Sequence, residues 1–187
     1  MHINEPLKGN MVQLENLTEN DLPELFNLLY NEEHPEWRKW DSPYPTSTTM
    51  EYGKFHQQLL NLMKQGLDKQ LLIKVKNEII GVIFYDWEHE SSNSLEIGLA
   101  IYHPSYRDSH YEADALKTWI DYLFYTIPIP RIGMTTWSGN ERMIHIGKQL
   151  GMIVEGRIRK SRLYRGRYYD SVKLGILREE WEDLQHG

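Results

Sequence analysis

The chain has 187 residues, 40% of them hydrophobic and 26% charged, which is typical of one soluble globular domain. Cysteine is absent, which excludes thiol catalysis, zinc-thiolate sites, iron–sulfur clusters and disulfides. A formal net charge of −6 disfavours a protein that coats nucleic acid through its overall charge, so nucleic acid is not an expected partner. No apolar run reaches the roughly 18–20 residues of a membrane span, and the first residues do not resemble a secretory signal. We therefore expect a cytoplasmic protein without a membrane partner.

Hydrophobic spacing predicts the elements of the first part of the chain. Residues 1–9 are expected to be a tail, followed by a strand over 10–16. Thr18 can cap a helix whose apolar residues recur at helical spacing. The proline-rich segment from His34 to Thr49 is predicted as a loop, and a second helix runs from Tyr52 to near Gly66.

The remaining elements alternate between strands and helices. Strands are predicted over 71–75, 79–85, 94–102, 131–137, 152–161 and 167–177, with a tight turn at Asn77-Glu78. Helices are predicted after His103-Pro104 and over 140–150. The order β-α-α-β-β-β-α-β-α-β-β indicates an α/β protein with a mixed sheet (α+β mixed), in one domain over residues 10–182. Residues 183–187 are expected to be a C-terminal tail.

The predicted strand 94–102 has one bulky face and one nearly bare face. Alternation puts Glu96 on the bare face together with Gly98 and Ala100. Small side chains let an extended ligand come close, and a carboxylate beside such a cleft can serve as a general base. A solvent-exposed cross-strand partner explains an isolated glutamate more simply, so this strand alone does not establish a base, and both interpretations stay open at this point.

Two segments in the second half of the chain carry a family resemblance. The first runs from Thr135 to Met143 and continues from Lys148 to Met152; the second comprises residues 155–157, 169–173 and 177–181. These segments resemble the GNAT family of N-acetyltransferases, in particular the branch of the ribosomal-protein N-terminal acetyltransferases and the spermidine-type enzymes. The predicted element order is also that of the family, so the resemblance covers about residues 10–182.

The resemblance implies a GNAT-like acyl-CoA N-acyltransferase fold and a metal-free transfer of an acetyl group from acetyl-CoA to a primary amine. In the family, the pantetheine arm lies between two splayed strands, which here are 94–102 and 131–137. The implied cofactor-binding residues on these elements are Leu99, Ala100 and Ile101 together with Asn140, and Glu96 is the implied base. Asn140 also fits as the N-cap of the helix that it precedes, and the two roles are compatible.

The loop that binds the cofactor pyrophosphate in the family departs from its pattern here. The family signature is Arg/Gln-x-x-Gly-x-Gly/Ala; Arg107 matches, but His110 and Glu112 occupy the two small-residue positions. A carboxylate about 6 Å from a phosphate charge, at an effective dielectric of about 20, repels it by roughly 3 kcal/mol. Ser109-x-x-Glu112 is in addition a capping box that satisfies the helix amides itself. The implied cofactor loop is Arg107, Asp108, Ser109, His110, Tyr111 and Glu112.

These departures leave open a second hypothesis, namely a catalytically degenerate relative that keeps the fold as a ligand-binding or interaction module. Gly147 adds to it, because many family members carry at this position a tyrosine that returns a proton to the leaving thiolate. A glycine inside a helix costs about 1 kcal/mol relative to alanine, so Gly147 needs a packing reason.

A basic hairpin is predicted near the end of the chain. Six cations fall within eleven residues, interleaved with Tyr164 and Tyr168: Arg157, Arg159, Lys160, Arg162, Arg165 and Arg167. Such a patch can bind RNA phosphates, an acidic substrate or the adenosine phosphate of the cofactor, or it is only the charged face of a hairpin.

The acceptor side is less defined by the sequence. Trp37, Trp40 and Tyr44 lie in the proline-rich loop, which resembles the variable substrate-side segment of the family. They are candidate walls of the acceptor pocket, although core packing explains them nearly as well. The expected acceptor is a small-molecule amine or a protein N-terminus, and a homodimer is possible because dimers are common in the family.

Overall fold

The computed structural model describes residues 3–30, 37, 49–64, 69–107 and 109–186. The strands are β1 (Leu7–Lys8), β2 (Gln13–Asn16), β3 (Gln70–Val75), β4 (Glu78–His89), β5 (Ser94–Ile101), β6 (Arg131–Trp137), β7 (Ile153–Tyr164) and β8 (Arg167–Leu177). The α-helices are α1 (Leu22–Tyr30), α2 (Tyr52–Lys64), α3 (Ser109–Thr126), α4 (Glu141–Gln149) and α5 (Arg178–His186). In this described part of the chain, none of the helices combines the length and the apolar composition that crossing a membrane requires.

The strands form one mixed sheet in the order β1-β2-β3-β4-β5-β6-β8-β7. The central pair β5–β6 is parallel, and the other neighbouring strands are antiparallel. β5 and β6 are parallel because α3, which connects them, brings the chain back to the end of the sheet at which β5 begins. The predicted mixed α/β architecture is confirmed.

Two apolar clusters cover the two faces of the sheet. On one face, Ile97 and Ile101 of β5 are buried in the cluster that contains Trp119 of α3. On the other face, Val82 of β4 is buried with Leu25 of α1 in a cluster that also includes α2. Because successive side chains of a strand point to opposite faces, Glu96, Gly98 and Ala100 lie on the α1/α2 face, as their alternation predicts.

The N-terminal residues predicted as a tail are in part structured. Leu7–Lys8 form strand β1, which pairs with β2, and Ile3 is buried. The backbone of Ile3 is held by Asn16, whose Oδ1 accepts the Ile3 N–H at 3.1 Å and whose Nδ2 donates to the Ile3 carbonyl at 2.6 Å. A strand of two residues is too short to show a hydrophobic alternation, so the sequence pattern does not reveal it.

Several boundaries differ from the predicted ones. The turn between β3 and β4 lies at Lys76-Asn77, where both residues have positive φ (51° and 68°), and not at Asn77-Glu78. This left-handed pair is the backbone of a tight hairpin turn. The predicted C-terminal tail 183–187 is also wrong in large part, because α5 extends from Arg178 to His186 and buries Trp181 in the core.

Strand β2 begins at Gln13 and not at residue 10, because a carboxylate on α3 binds the preceding backbone. Asp114 accepts hydrogen bonds from the N–H groups of Asn10 (3.0 Å), Met11 (2.6 Å) and Val12 (3.0 Å). Gly9 lies so close that a Cβ atom there would be 2.6 Å from Asp114 Oδ2. Residues 9–12 therefore wrap around the Asp114 carboxylate, which ties the N-terminal segment to α3.

The substitution Asp114→Ala removes three charge-assisted bonds to backbone N–H groups. We expect it to lower the free energy of unfolding by about 2–3 kcal/mol, since bonds to charged groups contribute more than neutral ones. Urea unfolding measures the change, and Asp183→Ala on the exposed face of α5 is the matched control. Equal midpoints for both variants would contradict the structural role of Asp114.

Candidate active site

The two central strands separate soon after they begin. β5 and β6 pair at three positions, Ser94 with Arg131, Leu95 with Ile132 and Glu96 with Gly133. Beyond these pairs, β5 stays paired with β4 as far as Ile101, and β6 stays paired with β8 as far as Trp137. A wedge-shaped gap therefore opens between residues 97–101 and 134–137.

The backbone of β5 presents polar groups to this wedge. The Tyr102 N–H donates to the Ile80 carbonyl at 2.8 Å, so these two residues form a hydrogen-bonded pair between β5 and β4. Hydrogen-bonded and non-hydrogen-bonded pairs alternate along antiparallel strands. Ala100 and Gly98 therefore also bond toward β4, whereas the N–H and C=O groups of Leu99 and Ile101 point into the wedge. They form an open edge to which an extended, amide-containing ligand can bind.

The residues on the two sides of the wedge line a cleft of about 430 Å³. It runs past the N-termini of α3 and α4 on one face of the sheet and past aromatic side chains on the other. The residues singled out from the sequence that line it are Trp37, Leu99, Ala100, Ile101, Arg107, Glu112 and Asn140. Trp40, Tyr44 and Asp108 lie outside the described residues.

Glu112 lies in the first turn of α3 and is paired with an arginine of α4. Its side chain is only 3% exposed, and Arg142 Nη2 donates to Glu112 Oε1 at 2.8 Å. Arg142 Nη1 also donates to the Arg107 carbonyl at 3.1 Å, so one guanidinium joins the loop before α3 to the start of α4. The repulsion expected from Glu112 assumed an unpaired carboxylate. The ion pair corrects that expectation, because Arg142 compensates the charge next to the cleft.

The other residues of the predicted cofactor loop have different positions. Arg107 lines the cleft and its Nη2 donates to the Tyr102 carbonyl at 3.0 Å. His110 is exposed, and the Tyr111 ring packs edge-on against Tyr106 at 5.3 Å between centroids. Neither His110 nor Tyr111 is among the cleft-lining residues. The capping box of Ser109 and Glu112 stays a prediction, because the side chain of Ser109 lies outside the described structure.

Asn140 caps α4, as its position in the sequence predicts. Its Oδ1 accepts the N–H of Met143 at 3.2 Å, and the residue is only 7% exposed. It also lines the cleft at the end of the wedge. The residue thus sits where a helix N-terminus, with its unpaired amides and positive dipole end, meets the open edge of β5.

Glu96 lies at the closed end of the wedge. Its Oε1 accepts a hydrogen bond from Thr135 Oγ1 at 2.8 Å, and Lys173 Nζ lies 3.9 Å from the same oxygen. Thr135 lines the cleft, which connects the carboxylate to it through one hydrogen bond. This arrangement holds a partly exposed carboxylate in a fixed orientation, with a second oxygen available to accept a proton.

Lys173 links Glu96 to a second carboxylate. Lys173 Nζ lies 2.7 Å from Glu88 Oε1, and this hydrogen bond raises the pKa of Lys173 and lowers the pKa of Glu88. Lys173 therefore stays protonated at neutral pH and leaves a positive charge near Glu96. The sequence did not single out Thr135, Lys173 or Arg142, because their roles depend on pairing between segments far apart in the chain.

Gly147 has the packing reason that its position in a helix requires. It is buried in α4, where a Cβ atom would lie 2.9 Å from Met134 Cε and 3.0 Å from Leu174 Cδ2. A larger residue would have to displace these core side chains. Glycine at this position lets α4 approach the sheet closely, beside the strand that forms one wall of the wedge.

The comparison with known proteins identifies the family. Residues 12–153 match the sequence model of the family described as Acetyltransferase (GNAT) domain. That match spans most of the chain, and we conclude that the chain belongs to the GNAT acetyltransferase family.

A curated relative is the SPbeta prophage-derived uncharacterized N-acetyltransferase YokL of Bacillus subtilis (strain 168). It is 27% identical over 136 residues, which are 68% of this chain and 75% of that protein. Among solved structures, the ribosomal-protein alpha-N-acetyltransferase RimL is 20% identical with a TM-score of 0.73, covering 94% of this chain and 96% of that one. Mutant forms of the spermidine/spermine N-acetyltransferase SpeG from Vibrio cholerae are 16% identical with a TM-score of 0.73, covering 94% and 98%. These likenesses confirm the fold, and the predicted ribosomal-protein branch stays a prediction.

The Glu112–Arg142 pair provides a test of the corrected electrostatics. We expect Glu112→Ala to lower the free energy of unfolding by about 1–3 kcal/mol, because it leaves a partly buried guanidinium without its carboxylate. Adding Arg142→Met should recover part of the loss, since the double variant has no uncompensated charge. Urea unfolding of both single variants and the double variant yields the coupling energy. Strictly additive effects would show that the pair does not stabilise the loop.

Proposed function

We propose that this chain is an N-acetyltransferase that uses acetyl-CoA and transfers the acetyl group to a primary amine by direct attack. The observation that supports this most is the wedge between β5 and β6. Its open backbone edge at Leu99 and Ile101 suits an extended amide-containing arm, and the carboxylate of Glu96 stands at its closed end. The binding edge therefore lines the cleft, and the proposed proton acceptor adjoins it through its hydrogen bond with Thr135.

The residues of the cleft suit acetyl-CoA. When bound, this co-substrate supplies the acetyl group as a thioester. Arg107 and the N-terminus of the 18-residue helix α3 offer positive charge and amide donors to its phosphates. Arg142 neutralises Glu112 beside this position, so the replacement of the family glycine does not leave a bare negative charge there. The alternative of a degenerate module depended in part on that charge and loses this support.

The chain's own groups account for the proton movements of the transfer. A neutral amine nitrogen attacks the thioester carbon, so that a C–N bond forms and the C–S bond breaks. Glu96 accepts the proton that the nitrogen loses, directly or through a water molecule. Amide groups of the β5 edge donate to the carbonyl oxygen as it gains negative charge. Gly147 offers no acid, so the thiolate receives its proton from water.

Binding of acetyl-CoA is the first test of this function. Calorimetric titration of the purified chain should give a dissociation constant on the order of micromolar, which is usual for such a co-substrate. Coenzyme A lacking the acetyl group should bind in the same range, because the backbone edge and the phosphate site contact the shared part. Absence of heat up to millimolar ligand would contradict the proposed function.

The proposed base has a separate test. Glu96→Gln should lower kcat by about a hundredfold or more at neutral pH, since an amide cannot accept the proton, while acetyl-CoA binding stays unchanged. Glu90→Gln, on an exposed turn near the end of β4, is the matched control. A kcat of Glu96→Gln equal to that of the wild type would remove Glu96 from the role of base.

A further inference from the structure

A bend in the C-terminal hairpin fixes the position of Arg162. β7 and β8 lose register between Ile158 and Arg162, and Lys160 has a positive φ of 52°. The bend is held by specific bonds, because the Lys160 N–H donates to Asp170 Oδ1 at 2.9 Å and the Ser171 N–H donates to Ser161 Oγ at 2.9 Å. These bonds hold the bulge in one conformation and so fix the direction in which the outer part of the hairpin extends.

The strand register places Arg162 on the same face of the sheet as Glu96. Arg162 pairs with Tyr169, and Trp137 pairs with Ser171, which is two residues farther along β8. Paired residues and residues two apart share a face, so Arg162 and Trp137 lie on one side. Trp137 is two residues from Thr135, which bonds to Glu96. Arg162 lines the cleft together with Trp137 and Thr135.

Arg162 differs from the other cations of the hairpin in its partners. Arg157 pairs with Asp170 at 3.1 Å. The guanidinium groups of Arg165 and Arg167 lie over the rings of Tyr164 and Tyr169 at 5.3 and 5.4 Å. Among the described residues, no ion pair or hydrogen bond includes the guanidinium of Arg162, although its side chain is partly buried. A partly desolvated guanidinium that faces a cleft is suited to bind an anion in a bidentate manner.

Arg162 and the helices α3 and α4 lie on different faces of the sheet. These helices, whose N-termini the phosphates of acetyl-CoA would meet beside Arg107, pack in the α3 cluster on the opposite face, while Arg107 and Arg162 line the same cleft. Arg162 lies on the α1/α2 face, on the side of Glu96. An anion at Arg162 would therefore belong to the acceptor, which has to approach Glu96 from this side.

The walls on this face are aromatic. Trp37 and Tyr102 pack edge-on with 4.9 Å between ring centroids, and both line the cleft. Phe84 lies over Gly98, where a Cβ atom would come within 2.5 Å of its ring, so the space beside this glycine is filled by an aromatic side chain. Trp137 is held from behind by Tyr164 and Tyr169 at 5.7 and 4.8 Å. These walls favour an apolar body over a hydrated, multiply charged one.

We propose that Arg162 binds an anionic group of the acceptor, and that the acceptor is an amine with an apolar body and a carboxylate or phosphate. The inference rests on the proposed acetyltransferase function and names its substrate class. A hydrophobic amino acid is the simplest member of this class. A polyamine is disfavoured, because its additional cations would face Arg162 without a carboxylate to compensate them.

The test compares matched amines that differ in their anionic group. Wild-type protein is assayed for kcat and KM with L-phenylalanine against phenethylamine, L-leucine against isoamylamine, O-phosphoethanolamine against ethanolamine, and with spermidine. The two amino-acid pairs report a carboxylate, and the ethanolamine pair reports a phosphate. We expect the anionic member of at least one pair to have a kcat/KM about ten- to a hundredfold above its neutral partner.

Variants of the hairpin assign this preference to Arg162. Arg162→Gln should raise KM for the anionic amine by about ten- to a hundredfold and change KM for acetyl-CoA and kcat/KM for the neutral partner much less. Arg162→Lys should restore part of the effect, and Arg159→Gln, exposed on the same strand, is the matched control. A KM increase for acetyl-CoA instead would assign Arg162 to the co-substrate and overturn the inference.

The remaining outcomes separate this inference from the proposed function. If the chain binds acetyl-CoA but prefers spermidine or the neutral amines, or acetylates no member of the panel, the substrate class is wrong and the proposed function stands on its own test. If acetyl-CoA does not bind, the proposed function fails and the inference fails with it.

Discussion

The early end of the pairing between β5 and β6 is the constraint on which the site depends. Each strand keeps its ladder to an outer neighbour, so each remains a regular strand with one open edge toward the gap. Unpaired backbone groups are costly when they are buried without a partner, so the gap must stay open to water or to a ligand. After its separated end, each strand is followed by a helix, β5 by α3 and β6 by α4. The N-termini of both helices therefore lie at the same cleft. The ion pair between Glu112 and Arg142 then joins these two helix starts.

Much of the fold could be predicted from the sequence, because hydrophobic periodicity reports elements that bury one face. The alternation around Glu96 identified both faces of β5 correctly, since a pleated strand has a side-chain period of two. Strand β1 could not be found in this way, because two residues carry no period. The predicted position of the turn was one residue away from the observed turn at Lys76-Asn77, because a lysine in the left-handed region carries no sequence signal.

The candidate site could be predicted only in part. Local order places Leu99 and Ile101 on one strand and Asn140 at a helix start, and the family resemblance connects them. Thr135 lies 39 residues from Glu96, and Arg142 lies 30 residues from Glu112, so their contacts depend on register and helix placement that no local pattern contains. Glu112 illustrates the consequence. Considered within its own segment it is an uncompensated charge, whereas in the folded chain it is half of an ion pair.

The bend in the C-terminal hairpin has a consequence beyond the cleft. β7 is the edge strand of the sheet opposite β1 and runs for 12 residues, and it carries exposed apolar side chains such as Ile153, Ile158 and Leu163. A long, flat and apolar edge strand of this kind would pair readily with a strand of another molecule. The left-handed backbone conformation of Lys160 and the shift in register interrupt this edge strand. The arginines around Lys160 add further positive charge to it. The bulge that places Arg162 at the cleft thus also protects this edge of the sheet from aggregation.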